Sequence, residues 1–384
     1  MSRIFFLALL LLLFLPRAIT QPCLPEGIEL NSQEQINNFQ LHHPGCTEIE
    51  GDVWIRGDDI VNLNGLIMIS RIEGDLWICY NPELSSLSGL GNLTYVGGNL
   101  SLGDRNYSGQ PWNPSLKNIE DLNKLEQVGG DLELYNNTSL SSLHGLNKLA
   151  SVGGDMRIGG NIQITDLQGL NELESVAASL LIDVNHSLNN LSGLDKLSSL
   201  GGSLGIYNNP SLSSLSGLDH LQNIDGNLWV ERNDALASLS GLANLSAGSI
   251  HNLSITLNSA LSSCEAKSVC DYLQAPAGIV EISNNAIGCN NQAEVEIDCQ
   301  DIAVDEYYLQ TSILIYPNPA TDELNITDEV DGSVVLSIYT PAGQLVLQER
   351  SVKGPIDISG VHAGMYIIEI RFNNMIFRRK LVVN

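Results

Sequence analysis

Gly74-Asp-Leu-Trp-Ile-Cys-Tyr-Asn-Pro-Glu-Leu-Ser-Ser-Leu-Ser-Gly-Leu-Gly-Asn-Leu-Thr-Tyr-Val96 decides the fold. Leu76 and Ile78 stand two apart, the period of a short strand, whereas Leu84, Leu87, Leu90 and Leu93 stand three apart, as residues do across tight corners. Gly74 opens the unit and Gly89 marks a second corner. The opening recurs as Gly51-Asp-Val-Trp-Ile, Gly98-Asn-Leu-Ser-Leu, Gly130-Asp-Leu-Glu-Leu, Gly154-Asp-Met-Arg-Ile, Gly202-Ser-Leu-Gly-Ile and Gly226-Asn-Leu-Trp-Val, and Ala178 replaces the glycine in one unit. From Gly130 through Gly154, Ala178 and Gly202 to Gly226 the step is 24 residues each time. So short and regular a period marks a repeat architecture. Each turn of chain adds one strand to each of several parallel sheets, with apolar residues pointing into a shared core. About nine or ten turns, stacked at roughly 4.8 Å, give a rod on the order of 45 Å long.

Seven residues after the opening glycine comes a second marker: Asn81, Asn137, Asn161, Asn185, Asn209 and Asn233, continued at Asn258 and Asn285. A primary amide both donates and accepts, so one such side chain per corner can satisfy a sharp turn and bond the next rung, forming a structural ladder. The composition agrees with thin stacked rungs, at 43% hydrophobic residues but only 5% aromatic. A formal net charge of −26 repels both a phosphate backbone and an anionic membrane, which disfavours nucleic-acid binding.

Residues 1–20 read as a signal peptide, with Arg3 as the basic end and an apolar run from Ile4 to Leu15 that is too short to span a bilayer. Ala18 and Thr20 place the cut after Thr20, and a lipoprotein reading through Cys23 is weakened by Pro22. No later segment is apolar for long enough to cross a membrane. Export brings an oxidising compartment, so disulfides are the default. Cys23 and Cys46 flank the N-terminal end of the array, and Cys264, Cys270, Cys289 and Cys299 cluster at its other end, as staples on two caps. Four cysteines allow three pairings, of which 264–289 with 270–299 is adopted here. No Cys-x-x-Cys pair supports a zinc site. Cys79 is left as a lone thiol in a strand. The expected organisation is an N-terminal cap at 21–50, the array at 51–261, a disulfide-rich cap at 262–299, a linker at 300–312 and a separate module at 313–384.

The pattern Gly-Asp-Leu-x-Ile followed by Asn-x-x-Leu-x-x-Leu-x-Gly-Leu resembles the receptor L-domain, over about residues 24 to 299. The resemblance implies a right-handed parallel β-helix, a leucine-rich solenoid, with Ser262 to Gln274 as a capping segment that includes a short helix. The chain lacks the cysteine-rich module, membrane span and kinase of those receptors, so their signalling role does not carry over. The last module alternates short strands with turn residues, which predicts a small antiparallel β-sandwich. Its ordered motifs Tyr316-Pro317-Asn318-Pro319-Ala-Thr, Pro341-Ala-Gly343, Gly364-Met-Tyr366 and Lys380-Leu-Val-Val resemble the C-terminal sorting domain of type IX (Por) secretion in Bacteroidetes. That likeness implies Sec export, passage through the outer membrane with the type IX machinery as partner, and release or attachment at the surface of a Gram-negative bacterium. In such a cell the Asn-x-Ser/Thr triplets at Asn92, Asn99, Asn137, Asn190, Asn244 and Asn252 are by-products of the repeat.

Strand alternation turns the middle residue of Leu-x-Ile outward. Down the stack that column reads Trp54, Trp77, Ser101, Glu133, Arg157, Leu181, Gly205 and Trp229, and two positions further on a second reads Arg56, Tyr135, Asp183, Tyr207 and Glu231. Trp54 and Trp77 on adjacent rungs suggest a flat aromatic platform for a sugar ring or a protein partner. One unit is eight residues too long, and its extra chain at 104–114 should emerge as a surface loop carrying Arg105, Tyr107 and Trp112. The candidate ligand-binding residues are therefore Trp54, Arg56, Trp77, Arg105, Tyr107, Trp112, Tyr135, Arg157, Tyr207 and Trp229. No outward column is read as stacking carboxylates on adjacent rungs, Asp58-Asp59 reads as a solvated pair, and His144, His186, His220 and His251 fall at unrelated offsets. Neither a catalytic centre nor a metal or other cofactor is implied. The expectation is a secreted or surface-held binding protein for an extracellular glycan or protein. A polysaccharide-active β-helix enzyme and a ligand-free surface coat are the alternatives.

Overall fold

The computed structural model describes residues 22–103, 112–305, 315–326, 335–341, 343–350, 354–372 and 375–384. The signal segment 1–20, most of the insertion and residues 306–312 of the expected linker lie outside them. Among the described residues, one parallel sheet has eleven strands, running in space from Ile28–Leu30 through Val53–Ile55 and Leu76–Ile78 to Val280–Ser283. A second parallel sheet has eight strands of two residues each, from Pro22–Cys23 to Ser199–Leu200. Spatial order equals chain order in both sheets. As far as Leu204–Tyr207 the chain visits them alternately, so each unit lays one strand on each.

The register explains the inward columns. Leu132 pairs with Met156, Met156 with Leu180 and Leu180 with Leu204, while Leu134, Ile158, Ile182 and Ile206 form the next row. All eight are buried, so a residue type that recurs along the sequence stacks on its own kind in the core. The leucines spaced by three are buried in the same cluster, which extends from Leu30 to Val295. Where Gly145 turns the corner at φ +131°, a Cβ would run into the carbonyl oxygen of Ile119 on the rung before, so only glycine lets the backbones approach.

The asparagine column is buried and continuous. Asn185 donates through Nδ2 to the Ile158 carbonyl at 3.0 Å, accepts from the Asn161 backbone N–H at 3.1 Å, and sends its own N–H to Asn209 Oδ1 at 3.0 Å, each step one unit of 24 or 27 residues apart. The same bonds recur through Asn233, Asn258 and Asn285. Asn113 fills the rung between Asn81 and Asn137, accepting from Asn81 Nδ2 at 3.2 Å and donating to Asn137 Oδ1 at 3.0 Å. The long unit thus rejoins the ladder after its eight extra residues. Eight of these corners also place one left-handed residue just before the asparagine: Tyr80, Asn136, Gly160, Val184, Asn208, Arg232, Leu257 and Asn284.

Both ends are covered and stapled. Helices Gln33–Asn37 and Phe39–His42 bury Ile36 and Phe39 against the first rungs, with Ser32 Oγ accepting from the Gln35 N–H. Cys23 is bonded to Cys46, Cys264 to Cys289 and Cys270 to Cys299. Cys79 is buried and outside any disulfide. In the C-terminal cap, helix Lys267–Gln274 lies within the expected capping segment, after Ser263 has paired with Ser238 in a parallel bridge. Helix Gln292–Asp305 runs on through residues 300–305, the first part of the expected linker. That stretch breaks the leucine pattern but contains neither glycine nor proline, so nothing in it stops a helix.

The C-terminal module has two antiparallel sheets, one of Ile315–Tyr316, Glu323–Ile326 and Ile356–Asp357, the other of Leu345–Arg350, Val335–Tyr339, Gly364–Phe372 and Met375–Val383. Leu324 and Ile356 from the first meet Leu336, Ile338, Ile368 and Leu381 from the second in one small core. No helix of the described residues is long and apolar enough to cross a membrane.

Candidate binding face and sorting motif

The outward face of the eleven-stranded sheet carries three parallel columns. The first begins at the residue after the opening glycine and is built from hydrogen bonds. Asp52 Oδ1 accepts the Asp75 N–H at 2.9 Å, Asp131 Oδ1 the Asp155 N–H at 2.7 Å, and Asp155 Oδ1 the Ser179 N–H at 2.8 Å. Asn99, Ser179, Ser203 and Asn252 serve the same purpose on other rungs. Carboxylates therefore do stack on adjacent rungs, contrary to the expectation from sequence, because the residue beside the corner glycine turns outward as well. Each holds the next strand by its backbone.

Arg157, on the second column, is spent on those acids. It reaches Asp131 and Glu133 at 3.0 Å each and also bonds Asp155, and only 12% of its side chain remains exposed. Burial works against its charge, and Asp155, Asp131 and Glu133 together outweigh that, holding the guanidinium above its ordinary value. Tyr135 is likewise withdrawn. Its ring covers Gly159, its hydroxyl donates to Asp183 Oδ1 at 3.2 Å, and 7% of it is exposed. Neither residue is left as a free handle.

Trp54 and Trp77 are neighbours in register, and their rings stack at 3.8 Å between centroids with 24° between planes. Nearly parallel rings this close must lie face to face, so each spends one face on the other. The expected flat platform is corrected to a self-stacked pair that presents edges and outer faces. Trp54 is 36% exposed, and the Arg56 guanidinium stands 6.0 Å from its ring while bonding Glu29 at 2.8 Å. Arg105 and Tyr107 lie outside the described residues. Trp112 is no surface handle either, being 1% exposed. Its carbonyl accepts the Asn81 N–H at 3.1 Å, and its ring meets Tyr80 edge-on at 4.1 Å. The last residues of the insertion must re-enter the stack, and the large ring buries itself there as an anchor. Tyr80, 48% exposed beside it, was not marked by the strand columns because it occupies the left-handed corner position.

At the other end of the face, Leu181, Gly205 and Trp229 pair across three successive strands. Gly205 offers no side chain, and the Tyr207 ring and Leu181 Cδ2 close over the place where its Cβ would stand. The Trp229 ring lies 6.2 Å from that of Tyr207, so the three side chains form one half-buried apolar patch. Asp183 and Glu231 flank Tyr207 in register. Burial, then Glu231, then Asp183 push the Tyr207 phenol far above its ordinary value, so it stays a neutral hydroxyl in any physiological medium. The two aromatic clusters are about 24 Å apart, five strand spacings from Trp77 to Gly205. Among the described residues no three or more His, Cys, Asp or Glu side chains are grouped to hold a metal ion.

In the C-terminal module the separated motifs converge. Asn318, between Pro317 and Pro319, donates through Nδ2 to the Lys380 carbonyl at 2.7 Å and accepts the Val382 N–H on Oδ1 at 2.9 Å, copying a strand partner with its side chain. Ala320 continues the pairing with Val382 and Asn384, each at 2.8 Å. Gly343 turns the Thr340–Gln344 loop at φ +79°, and the buried Tyr366 hydroxyl donates to the His362 carbonyl at 2.8 Å. Tyr316 is exposed and Gly364 begins the long strand. Residues 314–384 match the family described as a secretion system C-terminal sorting domain. The module is a secretion sorting domain. It indicates export by the type IX secretion system to the cell surface or the extracellular space. No curated protein matches the chain. The sorting domain, with its C-terminal strand pinned by Asn318, implies contact with the type IX machinery as its partner.

Proposed function

We propose that the chain is a non-enzymatic binding protein of a Gram-negative bacterium, exported through Sec and then type IX secretion. Residues 24 to 299 are taken as a right-handed leucine-rich solenoid of the receptor L-domain kind. Its binding surface is the outward face of the long sheet, and the ligand is a glycan or a protein. The observation that carries the proposal is the half-buried patch of Leu181, Tyr207 and Trp229 between Asp183 and Glu231. This patch keeps apolar surface open to water between Asp183 and Glu231, each of which already accepts one hydroxyl, from Tyr135 and Ser254. Aromatic surface beside carboxylates suits sugar hydroxyls and C–H faces, and equally a protein side chain. The carboxylates of the first column favour the non-enzymatic reading, because Asp131 and Asp155 each hold a backbone N–H and Arg157.

The test is binding of the mature protein to a glycan array and to purified surface proteins, with Tyr207→Ala/Trp229→Ala and Trp54→Ala/Trp77→Ala as separate variants. A tenfold or greater loss, about 1.4 kcal/mol, is expected in the first variant. Equal affinity in both variants and wild type would exclude this face. Absence of any ligand for the wild type favours a surface coat, and turnover of a glycan favours an enzyme.

A further inference from the structure

Lys380 belongs to the last motif of the sorting domain, yet its side chain leaves that domain. Its Nζ reaches Asp298 Oδ2 at 2.8 Å, in the helix Gln292–Asp305 that caps the parallel sheets, and this helix lies against the strand Met375–Val383. Only 8% of the Asp298 side chain and 25% of that of Lys380 are exposed. A carboxylate so far out of water needs a cation, and Lys380 brings one across from the other module.

Both partners are fixed by separate devices. Asp298 precedes Cys299, which is bonded to Cys270, and the Lys380 carbonyl is held by Asn318. The route between them is also shaped. Gly288 has φ +101°, and a Cβ there would stand 2.5 Å from Lys380 Nζ, so the cap leaves room for the ammonium at that point. An exposed ion pair gains little because two long side chains must first be ordered. Here the backbone of each partner is already immobilised and the pair is largely dry.

We propose that Lys380 latches the sorting domain onto the disulfide-stapled cap, so that the two modules present themselves to the secretion machinery as one docked body. The cap is then part of what surrounds the sorting signal, and separating the modules strips Asp298 of a counter-ion.

Zero-length coupling with a water-soluble carbodiimide tests this on the full chain with its sorting domain. The reagent joins a lysine amine to a carboxylate in contact with it, and peptide mass spectrometry of the monomer band locates the new amide. Glu172 and Lys196, 2.7 Å apart on neighbouring rungs, serve as the internal standard. The expected result is coupling of 298 to 380 within about threefold of the standard, its loss in Lys380→Met, and its return between the same positions in the D298K/K380D double variant. Efficient coupling of Glu172 to Lys196 with none between 298 and 380 in the wild type overturns the latch. So does a double variant that keeps its three disulfides and fails to couple.

Discussion

A buried primary amide is tolerated only when its donors and acceptor are filled, and at Asn185 neighbouring rungs fill them, the Nδ2 donating to the Ile158 carbonyl and to Asn209 Oδ1 and the Oδ1 accepting the Asn161 N–H. Asn185→Leu should therefore leave the Asn161 N–H unpaired in the core and remove the side-chain bond to the Ile158 carbonyl. At about 1 to 3 kcal/mol for the orphaned donor and about 1 kcal/mol for the lost carbonyl bond, the expected loss is roughly 2 to 4 kcal/mol. Thermal unfolding followed by circular dichroism should show a fall of several degrees, and an unchanged melt would show that water replaces the amide. The column itself was legible in the sequence because asparagine recurs at one offset. Two residue-level features were not. Asn113 is displaced by the insertion, so its membership emerges only when Asn81 and Asn137 are found bonded to it. The left-handed corner residue is hidden because tyrosine, valine, arginine and leucine fill a position that glycine or asparagine would have announced.

Between strands, alternation states which side chains face outward but not what they do once there. Tyr135 and Tyr207 share a column and were equivalent in the sequence, yet one lies over Gly159 and bonds Asp183 while the other closes over Gly205 to make a surface patch. The difference comes from which neighbour lacks a side chain. Trp54 and Trp77 followed the predicted register, but a spacing of 4.8 Å lets two indoles stack on each other instead of lying side by side. Arg157 is the clearest case of an element-level role, since it ties three carboxylates from two adjacent strands. Removing it leaves Asp131, Glu133 and Asp155 close together with no common cation. Arg157→Leu should cost roughly 1 to 3 kcal/mol, because the acids are partly open to water. The loss should shrink in 1 M salt, where the screening length is about 3 Å. Adding Asp131→Asn/Glu133→Gln should recover most of it, since Asn99 already performs the backbone role of Asp131 on its own rung. A deficit that ignores both salt and the added substitutions would mean that the arginine acts through packing of its stem.

At the scale of the whole molecule, two modules with different physics share one chain. The parallel sheets grow by nearest-neighbour stacking and are closed by helices and disulfides, whereas the sorting domain is a small antiparallel unit whose last strand is held by a side chain 62 residues upstream. That separation explains why the C-terminal motifs could be read in order but not in space, since nothing in Tyr316-Pro-Asn-Pro announces that Asn318 pairs with Lys380 and Val382. The family match places a secretion sorting domain at 314–384, in this unit. Removal of 314–384 should leave a chain that keeps its three disulfides and stays in the periplasm, and the same residues fused to a folded periplasmic passenger should carry it to the cell surface or the medium. Fractionation with protease protection distinguishes the compartments. If the truncated chain still appears outside the cell, the sorting signal lies in the parallel-sheet module. If only the fusion fails, residues before 314 contribute to the signal as well.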